Sequence, residues 1–118
     1  MVSMSNSVFN DRTGAIVGNA IADADGPWQS FKGLMLRRSL PDGHGMVFRP
    51  ARGIHTQFMR FPIDLIFLDK SNLVVKIRPA MRPWRFDFTN ADAVIEMNAG
   101  AAAANDVRVG DRLFFQPA

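Results

Sequence analysis

The sequence predicts a mainly β protein, a compact β-barrel or sandwich of short strands with one short helix near residues 28–40. Short runs of β-branched and aromatic residues recur along the chain, and Gly, Pro, Asn and Asp turns separate them at close spacing. One run, Ile63–Leu68, is apolar on both faces, which is typical of a strand at the centre of a sheet. The clearest helical periodicity lies within residues 28–40, where Gly33 restricts the helix to one or two turns.

The other elements are predicted in order along the chain. A first strand covers residues 15–22, a short strand covers residues 46–48, and a hairpin turn at residues 69–72 joins the central strand to a partner at residues 73–77. Residues 78–88 are rich in proline, arginine and aromatics and predict a long loop. A strand at residues 93–97, one helical turn at residues 100–104, and a last turn and strand within residues 107–115 complete the prediction.

Length and composition indicate a single domain. A chain of 118 residues with 47% apolar content can bury one hydrophobic core, so we expect a flexible N-terminal segment over residues 1–12 and one domain over residues 13–118. The absence of cysteine excludes disulfides, thiolate chemistry and iron–sulfur ligation. The N-terminus lacks the pattern of a signal peptide and no run approaches membrane-spanning length, so we expect a cytoplasmic protein, or an exported one if a leader has been removed.

The basic residues are mostly arginine. Eleven of the 14 basic residues are Arg, and the net charge is +3. Arginine suits planar recognition of carboxylates and phosphates, although GC-rich coding produces the same bias. The charge therefore permits an acidic partner without requiring one.

Asp64 lies inside the most apolar run of the chain. A carboxylate buried there is costly unless it is paired or hydrogen-bonded, so we expect a partner, with Arg37, Arg60 and His55 as candidates. A structural ion pair is one interpretation, and a functional acid is the other. Asp69 lies five residues later and faces the opposite side of the strand, so we interpret it as a turn residue that caps backbone amides.

His55 titrates near neutral pH and is therefore a candidate general base or metal ligand. No nucleophile or metal-ligand spacing accompanies it, so a structural histidine at a strand entrance is the alternative. Glu96 is a second acid within an apolar strand. If Glu96 and Asp64 lay on adjacent strands, both acids would converge with His55 and Arg37 in a cluster able to shift a carboxyl pKa or hold a divalent ion.

The predicted loop at residues 78–88 combines arginines with aromatic side chains around Trp84. It suits single-stranded nucleic acid, a small ligand stacked on Trp84, or a protein contact. A fourth interpretation has Trp84 and Phe86 fold back as a lid over the core. No RNA-binding motif is present, so we do not predict a nucleic-acid partner.

Several motifs occur in a fixed order over nearly the whole chain. They are Gly33-Leu34-Met35-x-Arg37, Gly45-Met46-x-Phe48, Ile54-His55-Thr56-x-x-Met59-x-Phe61-Pro62-Ile63-Asp64, Pro83-Trp84-Arg85, Val94-Ile95-Glu96-x-x-Ala99-Gly100 and Gly110-Asp111. In this order they resemble domain-of-unknown-function family 192, a bacterial and archaeal family, over residues 13–115. The resemblance implies a compact β-barrel or sandwich with one short helix, and it implies no particular reaction. Some relatives carry cysteine where this chain has Ala51-Arg52-Gly53, so a thiol-dependent function is not implied.

We predict a non-catalytic binding module for a small molecule or a protein, because the chain lacks a recognisable nucleophile, metal cage or cofactor motif. The alternative is a small acid–base or hydrolase-like enzyme that uses His55 with Asp64 or Glu96. No metal or cofactor is predicted, and we expect a monomer or weak dimer. The predicted ligand-binding residues are Arg37, His55, Thr56, Met59, Asp64, Trp84 and Glu96.

Overall fold

β-Strands and the turns between them make up most of the computed structural model, which describes residues 5–23, 40–49, 51–55, 61–82 and 86–117. The strands are β1 (Ser5–Asn10), β2 (Ile16–Asp23), β3 (His44–Phe48), β4 (Ala51–His55), β5 (Ile63–Leu68), β6 (Val74–Met81), β7 (Phe86–Ala91), β8 (Ala93–Asn98) and β9 (Leu113–Pro117), with one short helix, α1 (Ala101–Ala104). Seven strands form one sheet in the order β6-β5-β8-β3-β2-β1-β9, in which β2 and β3 are parallel and all other neighbours are antiparallel.

The mainly β fold class is confirmed, and the main sheet is open. Within the described residues, its edge strands β6 and β9 approach each other at one end, where Leu73 and Arg112 form an isolated bridge. This contact does not close the sheet into a barrel. β4 and β7 form a separate two-stranded sheet.

β5 is a fully buried interior strand, as the sequence predicts, although it lies second from the edge of the main sheet rather than at its centre. All six of its residues are buried, and it lies between β6 and β8. Its side chains alternate between two hydrophobic clusters on opposite faces of the main sheet. Ile66 and Leu68 pack into the first core, with Ile95 of β8. Leu65 and Phe67 pack into the second core, which contains Val94, Met81 and Leu40.

An ion-pair cluster around the buried Asp87 connects the small sheet to the second-core face of the main sheet. Asp87 of β7 accepts hydrogen bonds from Lys76 Nζ at 2.9 Å, Arg78 Nη1 at 2.9 Å and Thr89 Oγ1 at 2.8 Å. Lys76 and Arg78 pair with Phe67 and Leu65 of β5, so both cations lie on that face. Burial alone raises the pKa of Asp87, but these hydrogen bonds outweigh it and hold the pKa below its ordinary value.

The N-terminal region differs from the expectation of a flexible segment over residues 1–12. Ser5–Asn10 form β1, which pairs with both β2 and β9. Val8 is fully buried, and Asn6 Nδ2 donates to the Ile21 carbonyl oxygen at 3.1 Å. The alternation of small polar and apolar residues is weak in sequence, but it suffices once two strands flank the segment.

Hydrogen bonds to the Asp111 carboxylate connect the last turn of the chain to β1. This buried carboxylate accepts hydrogen bonds from Arg12 Nε at 2.7 Å, Asn10 Nδ2 at 2.8 Å and the Arg108 amide at 2.8 Å. These bonds, above all that from Arg12, lower the pKa of Asp111 to about 2 against the opposing effect of burial. Gly110 has φ +96°, a left-handed conformation that favours glycine at this turn.

The structure differs from the sequence prediction at residues 78–88, and the helix predicted near residues 28–40 is almost wholly outside the described residues. The sequence predicts a long loop over residues 78–88, but β6 continues to Met81 and β7 begins at Phe86. Lys76 and Arg78 of β6 form ion pairs with Asp87 of β7, and these contacts hold the two strands together. The helix predicted near residues 28–40 lies, except for Leu40, outside the described residues. The described helix is the turn predicted at residues 100–104. In the part of the chain that is described, no helix has the length and apolar character needed to cross a bilayer.

Asp111→Asn should lower the free energy of unfolding by about 1–3 kcal/mol at neutral pH, because one buried acceptor oxygen becomes a donor facing other donors. The native pKa of Asp111 is depressed, so its stabilisation is complete above pH 3.8 and is lost as the pH falls towards 2. Urea unfolding at a series of pH values measures both effects.

Asp106→Asn is the matched control for this prediction. Asp106 also pairs with Arg12 and Arg108, but its side chain is 54% exposed, so only a small change is expected. Equal effects of the two substitutions would contradict the anchoring role of Asp111.

Candidate functional site

The described residues of the predicted site lie near one end of the main sheet. Ile63, the first residue of β5, pairs with Asn98 at the end of β8 and with Met81 at the end of β6. In the small sheet, His55 pairs with Phe86, the first residue of β7. We call this region the Ile63 end.

Two further contacts orient this end. The turn between β7 and β8 lies at the opposite end of β5, where the Asp92 amide donates to the Leu68 carbonyl oxygen at 2.9 Å. The start of β7 and its partner His55 therefore point towards the Ile63 end. Asn98 also holds the returning chain there, since its side-chain amide accepts from the Leu40 amide at 3.1 Å and donates to the Leu40 carbonyl oxygen at 2.6 Å.

Only two of the predicted site residues have described side chains, Asp64 and Glu96. Arg37, Thr56, Met59 and Trp84 lie outside the described residues, and for His55 the structure describes the backbone alone. In sequence, Thr56 follows His55 directly and Trp84 precedes Phe86 by two positions. Their assignment to one ligand site with His55 stays a prediction.

Asp64 is a buried hydrogen-bond acceptor at the junction of three elements. Its side chain is on β5 and faces the first core. Oδ1 accepts from the Ala80 amide at 2.8 Å and from the Gly100 amide at 3.1 Å, and Oδ2 accepts from the Ala102 amide at 2.9 Å. The expected partner therefore exists, but the described partners are backbone amides rather than the side chains of Arg37, Arg60 or His55. With both oxygens engaged in this way, Asp64 acts as a structural hydrogen-bond acceptor.

Glu96 has the opposite surroundings. It pairs with Leu65 of β5 and Met46 of β3, so its side chain faces the second core, and it is 7% exposed. No hydrogen bond from the described part of the chain reaches its carboxyl group. Burial raises the pKa of Glu96 from 4.5 to about 8. At neutral pH this carboxyl is therefore largely protonated and is able both to donate and to accept a hydrogen bond.

The predicted convergence of Asp64 and Glu96 does not occur. The two acids are on adjacent strands, but Asp64 pairs with Met97 while Glu96 pairs with Leu65. Paired side chains share a face and successive ones alternate, so the two carboxyls point to opposite sides of the sheet. Within the described residues, no group of three or more His, Asp or Glu side chains is placed to hold a metal ion.

A cleft on the other side of the sheet was not anticipated from the sequence. It lies between the start of β2, the turn that precedes β3 and the helix α1, and it has a volume of about 610 Å³. We call it the crossover cleft, because it borders the parallel β2–β3 pair. His44 and Asp42 are on its rim. The local sequence of residues 41–45 indicates only a turn, because the opposite wall of the cleft is more than 50 residues away in the chain.

Comparisons with known proteins place this fold in a family. The family model of domain-of-unknown-function family 192, described as "Uncharacterized ACR", matches residues 8–115. The chain belongs to this family. The resemblance carried by the ordered motifs is thereby confirmed. The chain is similar to a UPF0127 protein of Thermococcus sibiricus, with 32% identity over 114 residues that cover 90% of this chain and 72% of that protein. A UPF0127 protein of Pyrococcus furiosus is 35% identical over 98 residues, covering 76% of this chain and 81% of that protein.

Two crystal structures share the fold. A protein of unknown function from Novosphingobium aromaticivorans matches with a TM-score of 0.79 and 24% identity, over 94% of this chain and 84% of that one. A protein from Sinorhizobium meliloti, described as a "putative transcription regulator", matches with a TM-score of 0.78 and 24% identity, over 98% of this chain and 97% of that one. At this identity the likeness concerns the fold alone.

Asp64→Asn should lower the free energy of unfolding by about 1–3 kcal/mol, because the new NH₂ group faces an amide donor that then lacks an acceptor. Chemical unfolding measures this loss. Asp92→Asn is the control, since Asp92 forms a partly exposed ion pair with Arg49 at the surface. An unchanged unfolding curve for the Asp64 variant would refute the three-element junction.

Glu96 should make the protein less stable as the pH rises. Its native pKa exceeds its unfolded value, so the folded state binds more protons between pH 4.5 and about 8, and stability falls across that window. The free energy of unfolding of the wild type, relative to Glu96→Gln, should therefore decrease on the order of a few kcal/mol from mildly acidic to mildly alkaline pH. A constant difference across this range would show that Glu96 is ionised and paired in the folded protein.

Proposed function

We propose that the protein is a non-catalytic binding module for a small molecule, and that its ligand contacts Glu96 near the Ile63 end. The observation that carries this proposal is the burial of a carboxyl group to which the described part of the chain donates no hydrogen bond. Leaving such a group unpartnered is costly, and its replacement by an apolar side chain would be the simpler route to stability. Residues that are unfavourable for stability are frequently retained for function.

The surroundings of Glu96 suggest the chemical character of the ligand. Its cross-strand neighbours are Leu65 and Met46, and the remainder of the second core is apolar. A largely protonated carboxyl in such a setting favours a ligand that combines an apolar body with one polar group able to donate and accept hydrogen bonds.

The other predicted ligand-binding residues complete the proposed site. His55 lies at the Ile63 end through its pairing with Phe86. We assign polar contacts to His55, Arg37 and Thr56, and apolar contacts to Met59 and Trp84. Asp64 has a supporting role, because its oxygens bind the amides that position the end of β6 and the start of α1.

An acid–base enzyme is the second candidate function. A pKa of about 8 lies near the working pH of a general acid or base, which favours Glu96 with His55 over any reaction that uses Asp64. Ligand turnover distinguishes this candidate from the binding module. The cytoplasmic location and the monomer or weak dimer also stay predictions.

A thermal-shift screen of metabolites tests the proposed function, with the wild type, Glu96→Gln and His55→Ala measured in parallel. A ligand that binds only the folded state raises the melting temperature, and a tenfold loss of affinity corresponds to about 1.4 kcal/mol. We expect at least one compound to stabilise the wild type and to lose most of its effect in both variants.

Asp92→Asn serves as the matched control, because Asp92 lies at the far end of β8. It should respond to every compound as the wild type does. Compounds that stabilise all four proteins equally would place the ligand elsewhere, and conversion of a bound compound to product would favour the enzyme. A protein that no compound stabilises, and that captures a partner protein through a surface independent of Glu96, would overturn the proposal.

A further inference from the structure

The crossover cleft is a concave surface whose lining does not include Glu96. It lies between the turn that precedes β3 and the start of α1, and it has a volume of about 610 Å³, within the usual range for small-molecule sites. Met97 contributes to its floor, whereas the neighbouring Glu96 faces the opposite side of the sheet. The cleft and the proposed Glu96 site therefore do not share this acid.

One wall of the cleft is held in place by backbone hydrogen bonds. The His44 amide donates to the Pro41 carbonyl oxygen at 3.1 Å, which closes the turn that carries Asp42. The Gly43 carbonyl oxygen accepts from the amides of Asn19 and Ala20 at 3.0 and 3.1 Å. Gly43 has φ +77°, and a Cβ atom there would lie 2.4 Å from Asn19 Oδ1, so glycine is needed for this close approach.

The opposite wall is the start of α1, and Asp64 holds it. The bonds from the Gly100 and Ala102 amides to the Asp64 carboxylate connect this wall to β5. Asn105 donates its Nδ2 to the Ala101 carbonyl oxygen at 2.7 Å, so its Oδ1 is the group it presents for further bonds. Both walls are therefore built before any ligand binds, which reduces the entropic cost of binding.

The lining is rich in acceptors and poor in positive charge. It contains the Asp42 carboxylate and the amide oxygens of Asn19 and Asn105. None of the described residues that line it is Lys or Arg, although the whole chain has 14 of them. This lining disfavours phosphates and carboxylates and favours a ligand with several hydrogen-bond donors and a positive charge.

The small side chains of the helix wall add a shape requirement. Ala104 and the neighbouring Gly100 and Ala101 leave room for a ligand to approach the peptide backbone, and no aromatic ring besides that of His44 lines the cleft among the described residues. A compact, hydroxyl-bearing molecule suits such a surface better than a flat hydrophobic one does.

We propose that the crossover cleft binds a small polyhydroxylated amine, such as an amino sugar, with its ammonium group at Asp42 and its hydroxyls at the Asn19 and Asn105 amide oxygens. This inference is independent of the proposed Glu96 site, because it uses different residues on the other side of the sheet.

Titration of the ¹⁵N-labelled full chain tests the inference, with glucosamine, glucose and gluconate as probes at neutral pH, where most of the amine is protonated and the charge of a histidine such as His44 is kept low. We expect glucosamine to shift the amide signals of Asn19, Gly43 and Ala104. Glucose should bind at least about tenfold more weakly, and gluconate should not shift these signals. In Asp42→Asn, which removes the charge and retains the shape, glucosamine should bind no better than glucose.

A pair of alanines in α1 provides the control for location. Ala104 lines the cleft, whereas the equally exposed Ala103 does not. Ala104→Trp should abolish the glucosamine shifts and Ala103→Trp should retain them, with the dispersion of the amide spectrum showing that each variant is folded. Gluconate binding as tightly as glucosamine, an unchanged response in Ala104→Trp, or no glucosamine shift at these amides up to tens of millimolar would each overturn the inference.

Discussion

The Asp64 carboxylate accepts hydrogen bonds from three backbone amides, and the arrangement of one whole end of the molecule depends on them. These bonds connect β5 with the Ala80 amide near the end of β6 and with the Gly100 and Ala102 amides at the start of α1. A helix of four residues has no stability of its own, so tertiary contacts must hold it. Ala80 has φ +47°, a conformation that is unfavourable for alanine and that the bond to Asp64 helps to maintain. The same carboxylate thereby positions the Ile63 end and one wall of the crossover cleft.

The buried acids of this protein fall into two groups. Three of the described acids accept hydrogen bonds from several donors. Asp64 accepts from backbone amides, Asp87 from a lysine and an arginine, and Asp111 from an arginine and an asparagine. Each of them joins different elements of the fold, and for Asp64 and Asp111 these include elements that are distant in sequence. Glu96 is also buried, but among the described residues burial is the cause that shifts its pKa, and the shift is upward. That contrast separates a candidate functional carboxyl from the structural ones more clearly than burial does, since a structural acid gains nothing from an apolar setting.

The two faces of the open main sheet are covered by different elements. On the second-core side the small sheet covers Leu65 and Phe67, and the Lys76–Asp87–Arg78 cluster fastens it there. On the other side, α1 and the turn before β3 enclose the crossover cleft. β2 and β3 are parallel, so their first residues lie at the same end of the sheet, and this is the end that the cleft borders. The family relationship extends over residues 8–115, which include the elements on both faces.

The sequence by itself determined the mainly β class, the full burial of β5, the hairpin at Asp69 and the need of Asp64 for a partner. These follow from local periodicity, turn chemistry and the cost of burying a charge, none of which requires knowledge of distant residues. The predicted capping role of Asp69 is confirmed, since its Oδ1 accepts from the Ser71 and Leu73 amides. Only the tertiary structure decided that β1 is a strand, that backbone amides satisfy Asp64, and that Asp64 and Glu96 face opposite sides. Strand register and contacts between residues 16 to 101 positions apart in the chain set these outcomes, and a single sequence carries no signal for either.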